Sequence, residues 1–305
     1  MDSRYGKGIL LALLAALISG VSVFINGSAI KLADPFAYTT LKNLGALLFL
    51  WGAVLAFNEV RHFRNLSKRQ WSVLALIGVI GGSVPFLMFF WGLKLGGAAI
   101  SSFIFRSLFI FAGVAGWFIL KEKPEASDVA AGVILLLGNA LLVSGDLEFG
   151  FGQMLVLGAT ILWAVEYTIS RKMLSDIEPN VVMVSRMIFG SLVLLGFLAM
   201  DGSLGLLTQI NPEMLSWLVL TSALLFGFLT SWYNTLRYLP VLKATSILAL
   251  GGIVTSALGI LCGGTVSLAE GFGLLLILLG AGIAAGSANL VSSLKKTVLW
   301  YYGRD

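Results

Sequence analysis

The chain repeats itself at close to half its own length. Residues 149–186, FGFGQMLVLGATILWAVEYTISRKMLSDIEPNVVMVSR, lie without a gap on residues 5–42 when moved back by 144 positions. Gly150 and Gly152 fall on Gly6 and Gly8, Ala159 on Ala15, Val165 on Val21, Pro179 on Pro35 and Arg186 on Lys42. The duplication continues more weakly, with Trp91–Lys94 on Asn234–Arg237 at offset 143 and Gly138 on Gly280 at offset 142. A fixed internal period constrains the architecture before any single motif does.

What is repeated is apolar. Soluble domains carry about 25% charged residues; this chain carries 11%, with 58% hydrophobic. So little polar side chain cannot cover a water-facing surface, and lipid must solvate the outside. A helix needs about 20 apolar residues to cross a hydrocarbon core of about 30 Å. Ten segments meet that requirement: 8–30, 36–57, 71–93, 97–120, 127–145, 150–170, 178–200, 213–236, 242–263 and 269–290. The first is too long for a signal-peptide core and is expected to be a retained helix.

The expectation is therefore an all-α membrane protein with ten transmembrane helices, arranged as two inverted five-helix repeats over residues 1–146 and 147–305. Inversion follows from the odd number: a half that crosses five times leaves its successor starting on the opposite side, the design of many secondary transporters. Fifteen Lys and Arg residues fall on the connectors of one side, among them Arg61, Arg64, Lys68, Arg69, Arg171 and Lys172, against Lys31 and Lys94 on the other. That bias is a topology signal rather than a nucleic-acid footprint, and it predicts cytoplasmic N- and C-termini in a cell membrane. One Cys and one His exclude a disulfide framework and a clustered His/Cys metal site.

Polar residues inside the apolar segments are the candidate working parts. In the first segment Ser19, Ser22 and Asn26 share a helix face, and Trp163, Glu166 and Ser170 repeat that stripe in the sixth. Ser and Asn at such spacing also serve as helix–helix glue. Glu166 is different, because a mid-membrane carboxylate is costly and faces a cavity or a partner. Arg106, one turn beyond Ser102 in the fourth segment, is about as deep and needs a counter-ion or water. Glu166 is the only carboxylate comparably deep, so an Arg106–Glu166 pair, direct or across a substrate, is expected. Lys42 and Arg186, each about two turns into its segment, are expected to snorkel to the interface. Pro85 should kink the third segment, and the aromatic sets Phe86, Phe89, Phe90, Trp91 and Phe226, Phe228, Trp232, Tyr233, followed by Asn234, suit either packing or a binding wall.

At these residues the chain resembles the drug/metabolite transporter superfamily, in its ten-helix EamA-type members. The resemblance is carried by the two five-helix halves, by LWAVEYTISRK in the sixth segment, by Pro179…Arg186 with its echo Pro35…Lys42, and by the Lys121-Glu122-Lys123 turn followed by Gly132 and Gly138. The chain departs from the family pattern at Gly263-Gly264-Thr265, which lacks a matching Glu, and at Lys42, where Arg is usual. The resemblance implies a central cavity lined by segments 1, 3, 4, 6, 8 and 9, with 5 and 10 at the periphery.

The functional expectation is a secondary transporter of a small organic solute, an amino acid or related metabolite, with another metabolite or an organic cation as the alternative. No nucleotide motif appears and no cofactor is called for. The solute's ammonium would meet Glu166 and its carboxylate Arg106, with Trp163, Tyr167, Phe105, Trp91 and Trp232 stacking on the remainder and Ser22, Asn26, Ser102 and Asn234 as polar lining. If a proton is coupled, Glu166 is its carrier. The other expected partner is the bilayer; association with a second copy stays open. An intramembrane enzyme would need convergent catalytic groups that the deep segments do not supply, and a scaffold would gain nothing from buried charge.

Overall fold

A computed structural model describes residues 3–29, 34–96, 98–143 and 149–302. It is all helix. Spans 1 and 2 are α1 (Ser3–Ala29) and α2 (Pro35–Ala56); span 3 is split into α3 (Lys68–Gly82) and α4 (Val84–Gly96), and span 4 into α5 (Ala98–Arg106) and α6 (Leu108–Ala115). Then follow α7 (Ala126–Leu141), α8 (Phe151–Met173), α9 (Pro179–Met200) and α10 (Pro212–Tyr238). Span 9 is split into α11 (Val241–Leu248) and α12 (Gly251–Leu261), and span 10 is α13 (Leu268–Tyr302). Among the described residues nine spans are long and apolar enough to cross a membrane. The fifth, expected over 127–145, is a shorter apolar helix of 16 residues. At about 1.5 Å per residue it reaches about 24 Å; residues 144–148 lie outside the description, as do Lys31 and the side chains at 287–305.

Packing repeats under exchange of the halves. α1 lies on α10 as α8 lies on α4, α10 on α2 as α9 on α3, and α12 on α1 as α6 on α8. The remaining large contacts, α7 with α13 and α2 with α9, join an element to its own counterpart. Exchange of the two halves reproduces these contacts, in keeping with two inverted five-helix repeats.

Local chemistry explains the boundaries. Both second helices start on proline, Pro35 and Pro179, whose fixed φ suits a first helical position. Asp34 caps α2, its Oδ1 accepting from the amides of Phe36 (2.9 Å) and Ala37 (3.0 Å). Spans 4 and 9 break at matching places, Ser107 and Ala249–Leu250. There the backbone tightens to i→i+3 bonds, Ile110 to Ser107 (3.0 Å) and Gly252 to Ala249 (3.0 Å). Close crossings are made on glycine. A Cβ on Gly82 of α3 would stand 2.8 Å from the Arg186 carbonyl oxygen and 3.0 Å from the Gly190 Cα of α9, and one on Gly190 would stand 2.8 Å from the Gly82 Cα.

Gly82→Ala and Gly190→Ala are each expected to cost about 1–3 kcal/mol by forcing α3 and α9 apart. Gly196→Ala, where no atom stands within 4 Å of the added methyl, should be neutral or stabilising, since Ala is the better helix former. Thermal unfolding in detergent compares the three.

Candidate functional site

Pro85 has no amide hydrogen, so the Gly81 carbonyl cannot receive its ordinary helical bond from four residues on. The helix breaks at Ser83, whose φ of −143° and ψ of −73° are not helical, and restarts at Val84. The carbonyls around this break are not left bare. Gly81 O accepts from Trp163 Nε1 (3.1 Å) and from Arg186 Nη2 (2.7 Å), and Gly82 O accepts from Asn43 Nδ2 (3.2 Å). One interrupted helix thus ties α2, α8 and α9 to a single point.

Arg186, 4% exposed, and Glu166, 0% exposed, meet beside that point. Arg186 Nε stands 3.9 Å from Glu166 Oε2. The other carboxylate oxygen, Oε1, accepts from Ser170 Oγ (2.5 Å) and Tyr233 OH (2.7 Å). Gly81 makes room for the acid: a Cβ there would stand 2.5 Å from Glu166 Cγ and 3.0 Å from Arg186 Nε. At 3.9 Å the pair attracts without a hydrogen bond, and both Oε2 and Nε are buried with no other partner among the described residues. A buried polar atom left so costs about 1–3 kcal/mol. Closing the gap by about 1 Å would make a hydrogen-bonded pair.

A direct Arg106–Glu166 contact is not formed, the cation beside Glu166 being Arg186. Phe105 turns toward α8, its ring 5.3 Å from Trp163. The next residue on a helix points about 100° away, which takes Arg106 off α8. Arg106 instead lines a cavity of about 220 Å³ with Ser256, Thr265 and Glu270, between span 4 and spans 9 and 10. Arg186 does not snorkel either, because the Gly81 carbonyl and the Glu166 carboxylate hold it inside. Proline 85, with Gly81 and Gly82 four and three residues before it, was the signal in the sequence for that anchor; Tyr233 as a partner for Glu166 had no sequence signal.

The remaining expected residues divide. Trp163 gathers Phe86 (5.2 Å), Phe89 (5.7 Å) and Phe105 (5.3 Å) into one aromatic cluster, and Tyr167 meets Trp232 edge to face at 4.8 Å. Trp232 is fully buried, with an indole N–H that has no acceptor among the described residues. Trp91 stands apart, 49% exposed and packed on Phe36 and Phe197. In α1, Asn26 Nδ2 donates to Ser22 Oγ (2.9 Å) and to the Ser22 carbonyl (2.7 Å). Asn234 Nδ2 donates to the Thr230 carbonyl (2.8 Å), and Ser102 is half-buried on α5.

At the end of the bundle that carries the basic connectors, ion pairs join the halves. Glu122 pairs with Arg171 and accepts from the Val241 amide (3.0 Å), capping α11. Lys243 lies 3.5 Å from Glu125 and 3.4 Å from Asp128, and Asn180 donates to Glu59. Glu178 and Arg237, both of the second half, close the layer at 2.6 and 3.2 Å. The guanidinium's hydrogen bonds hold the Glu178 carboxyl below the ordinary range, so this contact persists through neutral pH and is lost as pH falls through that lowered value.

Duplicated halves related by an in-plane two-fold, helix breaks in spans 3, 4 and 9 and charge buried between the halves define a multi-pass membrane transporter. The chain belongs to the EamA-like transporter family, whose sequence profile matches residues 6–144 and again 150–285. It is 28% identical over 239 residues to an uncharacterized transporter of Archaeoglobus fulgidus, covering 75% of this chain and 79% of that one. It is 27% identical over 183 residues to the uncharacterized inner membrane transporter YhbE of Escherichia coli K12, spanning 57% of this chain and 56% of that relative. A solved crystal structure superposes with a TM-score of 0.78 at 18% identity, over 94% of this chain and 99% of the other, a likeness of fold.

Removing one member of the buried pair should hurt more than removing both. Arg186→Gln leaves Glu166 without its cation and is expected to lose about 3–5 kcal/mol, whereas Glu166→Gln with Arg186→Gln should recover much of that. Unfolding of the single and double variants in detergent decides it; equal losses would mean that the two charges do not compensate each other.

Proposed function

We propose that the protein moves a small organic solute, an amino acid or related metabolite exported from the cell, by alternating access and without ATP. The observation carrying this reading is the Glu166–Arg186 pair: an acid and a base sunk between the halves, 3.9 Å apart, each keeping a buried polar atom unpartnered. A static scaffold has no use for that cost, while a bundle that rocks between two states needs a contact able to make and break. The aromatic cluster of Trp163, Phe105 and Phe89, with Tyr167 and Trp232 behind it, supplies the apolar wall for the solute. Ser22, Asn26, Ser102 and Asn234 supply polar lining, and Arg106 is a half-buried cation on the same span as Phe105.

The Lys/Arg bias supports termini on the cytoplasmic side. The layer of ion pairs from Glu122–Arg171 to Glu178–Arg237 then closes the cytoplasmic end. Solute from that side enters only once those contacts part. Coupling to a proton runs through Glu166: protonation removes its attraction for Arg186 and lets the pair separate, which biases the rocking equilibrium.

Counterflow into proteoliposomes, with amino acids, nucleobases and quaternary amines tested with and without a pH gradient, examines this. At least one amino acid should accumulate and respond to the gradient. Glu166→Gln should abolish that response and slow flux by about tenfold or more, a barrier change of about 1.4 kcal/mol. Wild-type rate and pH dependence in Glu166→Gln would remove Glu166 from the mechanism, and a silent panel would remove transport of these solutes.

A further inference from the structure

One of the differences between the two halves falls on the buried ion pair. Carried back by 144 residues, Arg186 becomes Lys42, Ser170 becomes Asn26, and Glu166 becomes Ser22. The first half therefore keeps the cation and the polar residue one turn beyond, and lacks the acid. The local geometry is preserved around the gap. In α8, Ser170 donates to the side chain four residues earlier, Glu166 Oε1 (2.5 Å); in α1, Asn26 donates to the side chain four residues earlier, Ser22 Oγ (2.9 Å).

The surrounding helices are preserved as well. Gly78 of α3 packs on Phe189 of α9, and the matching pair, Ser222 of α10 and Gly45 of α2, is in contact too. Ser222 Oγ donates to the Lys42 carbonyl at 3.2 Å. Tyr38, one turn before Lys42, is 1% exposed and donates or accepts at 2.8 Å with Thr221 of α10, while Ala46, one turn after, is 0% exposed. α1 lies on α10. The two-fold that exchanges the halves assigns Lys42 the position toward α10 and α1 that Arg186 has toward α3 and α8, without the broken-helix carbonyl that anchors Arg186.

Arg186 has a carboxylate; no ion pair or hydrogen bond reaches the Lys42 ammonium among the described residues. A cation half-buried at membrane depth requires an anion or water. Ser22 is suited to help one bind. Its oxygen already accepts from Asn26, so its own proton is free to donate, and the buried Asn26 Oδ1 beside it has no donor among the described residues, an acceptor still unmet at that point.

We infer that Lys42, with Ser22 held by Asn26, is the subsite for the carboxylate of the transported solute, which fills in the first half the place Glu166 fills in the second. The inference rests on the transport reading only for the identity of its ligand. It also replaces Arg106 as the carboxylate's partner, since Arg106 faces the cavity toward α12 and α13. Lys42 holds the anion while Arg186 stays neutralised by the protein's own acid, so one charged solute completes a bundle that is otherwise one carboxylate short.

The test has two arms on the full chain. In the first, thermal stabilisation in detergent is titrated with 3-phenylpropionate and L-phenylalanine, with phenethylamine as the matched probe lacking the carboxylate. Lys42→Gln should weaken the two carboxylates by about tenfold or more, the worth of one charge-assisted hydrogen bond, Lys42→Arg should restore them, and phenethylamine should respond alike in all three proteins. The second arm needs no ligand. Ser22→Glu copies the other half and should raise the unfolding temperature while abolishing the response to carboxylates; in the Lys42→Gln background the same substitution should lower the unfolding temperature. Carboxylates that stabilise Lys42→Gln as they do wild type, wild type that responds to neither carboxylate, or Ser22→Glu that behaves alike with and without Lys42 would each overturn the subsite. Intact carboxylate binding without counterflow would overturn the transport reading and leave the subsite standing.

Discussion

The structure depends on a hydrogen bond that cannot form. With no amide hydrogen at Pro85, the Gly81 carbonyl must find a donor elsewhere, and inside a bilayer there is no water to serve. Trp163 and Arg186 reach it from α8 and α9, and Asn43 reaches the next carbonyl from α2. Three helices outside span 3 are thereby fixed to its break. Because Arg186 is held there, Glu166 can be held too, and because Gly81 and Gly82 have no side chains, the helices can come close enough for both.

Buried ionic contacts add little net stability, since desolvation offsets attraction. Their distribution in this chain is informative for another reason. The deep pair, Glu166–Arg186, stands about 1 Å beyond hydrogen-bond distance, whereas at the connector end Glu122 of the first half pairs directly with Arg171 of the second. The Glu122–Arg171 contact is partly exposed and joins the halves, while the interior pair is longer and buried, so separating the interior pair leaves the larger desolvation cost. The larger helix contacts of one half have counterparts in the other, as an inverted repeat requires.

Duplication followed by divergence gives the two halves different chemistry on the same frame. Span 3 is broken by Pro85, and its counterpart α10 is continuous from Pro212 to Tyr238. Spans 4 and 9 break alike, yet only the former carries an Arg at the break, Ala249 standing where Arg106 would be. The acid is on one side alone. Such differences separate a site the protein completes by itself from one that it leaves for a ligand.

Much of the architecture was legible in residue order. Hydropathy runs long enough to span, an odd number of them in each copy, and proline at the start of the second helix of each half require ten helices in two inverted sets, because lipid admits no other backbone and an odd half must reverse. The stripes Ser19–Ser22–Asn26 and Trp163–Glu166–Ser170 were legible as well, since helical period alone puts them on a face. Which charges meet was not. Glu166 and Arg106 are the deepest acid and base in the sequence, and depth pairs them; the fold pairs Glu166 with Arg186 because a rotation of about 100° per residue sends Arg106 away once Phe105 has packed on Trp163. Periodicity determines what shares a side of one helix, but the rotation of each helix about its own axis is chosen by packing against its neighbours, and only the tertiary structure contains that choice.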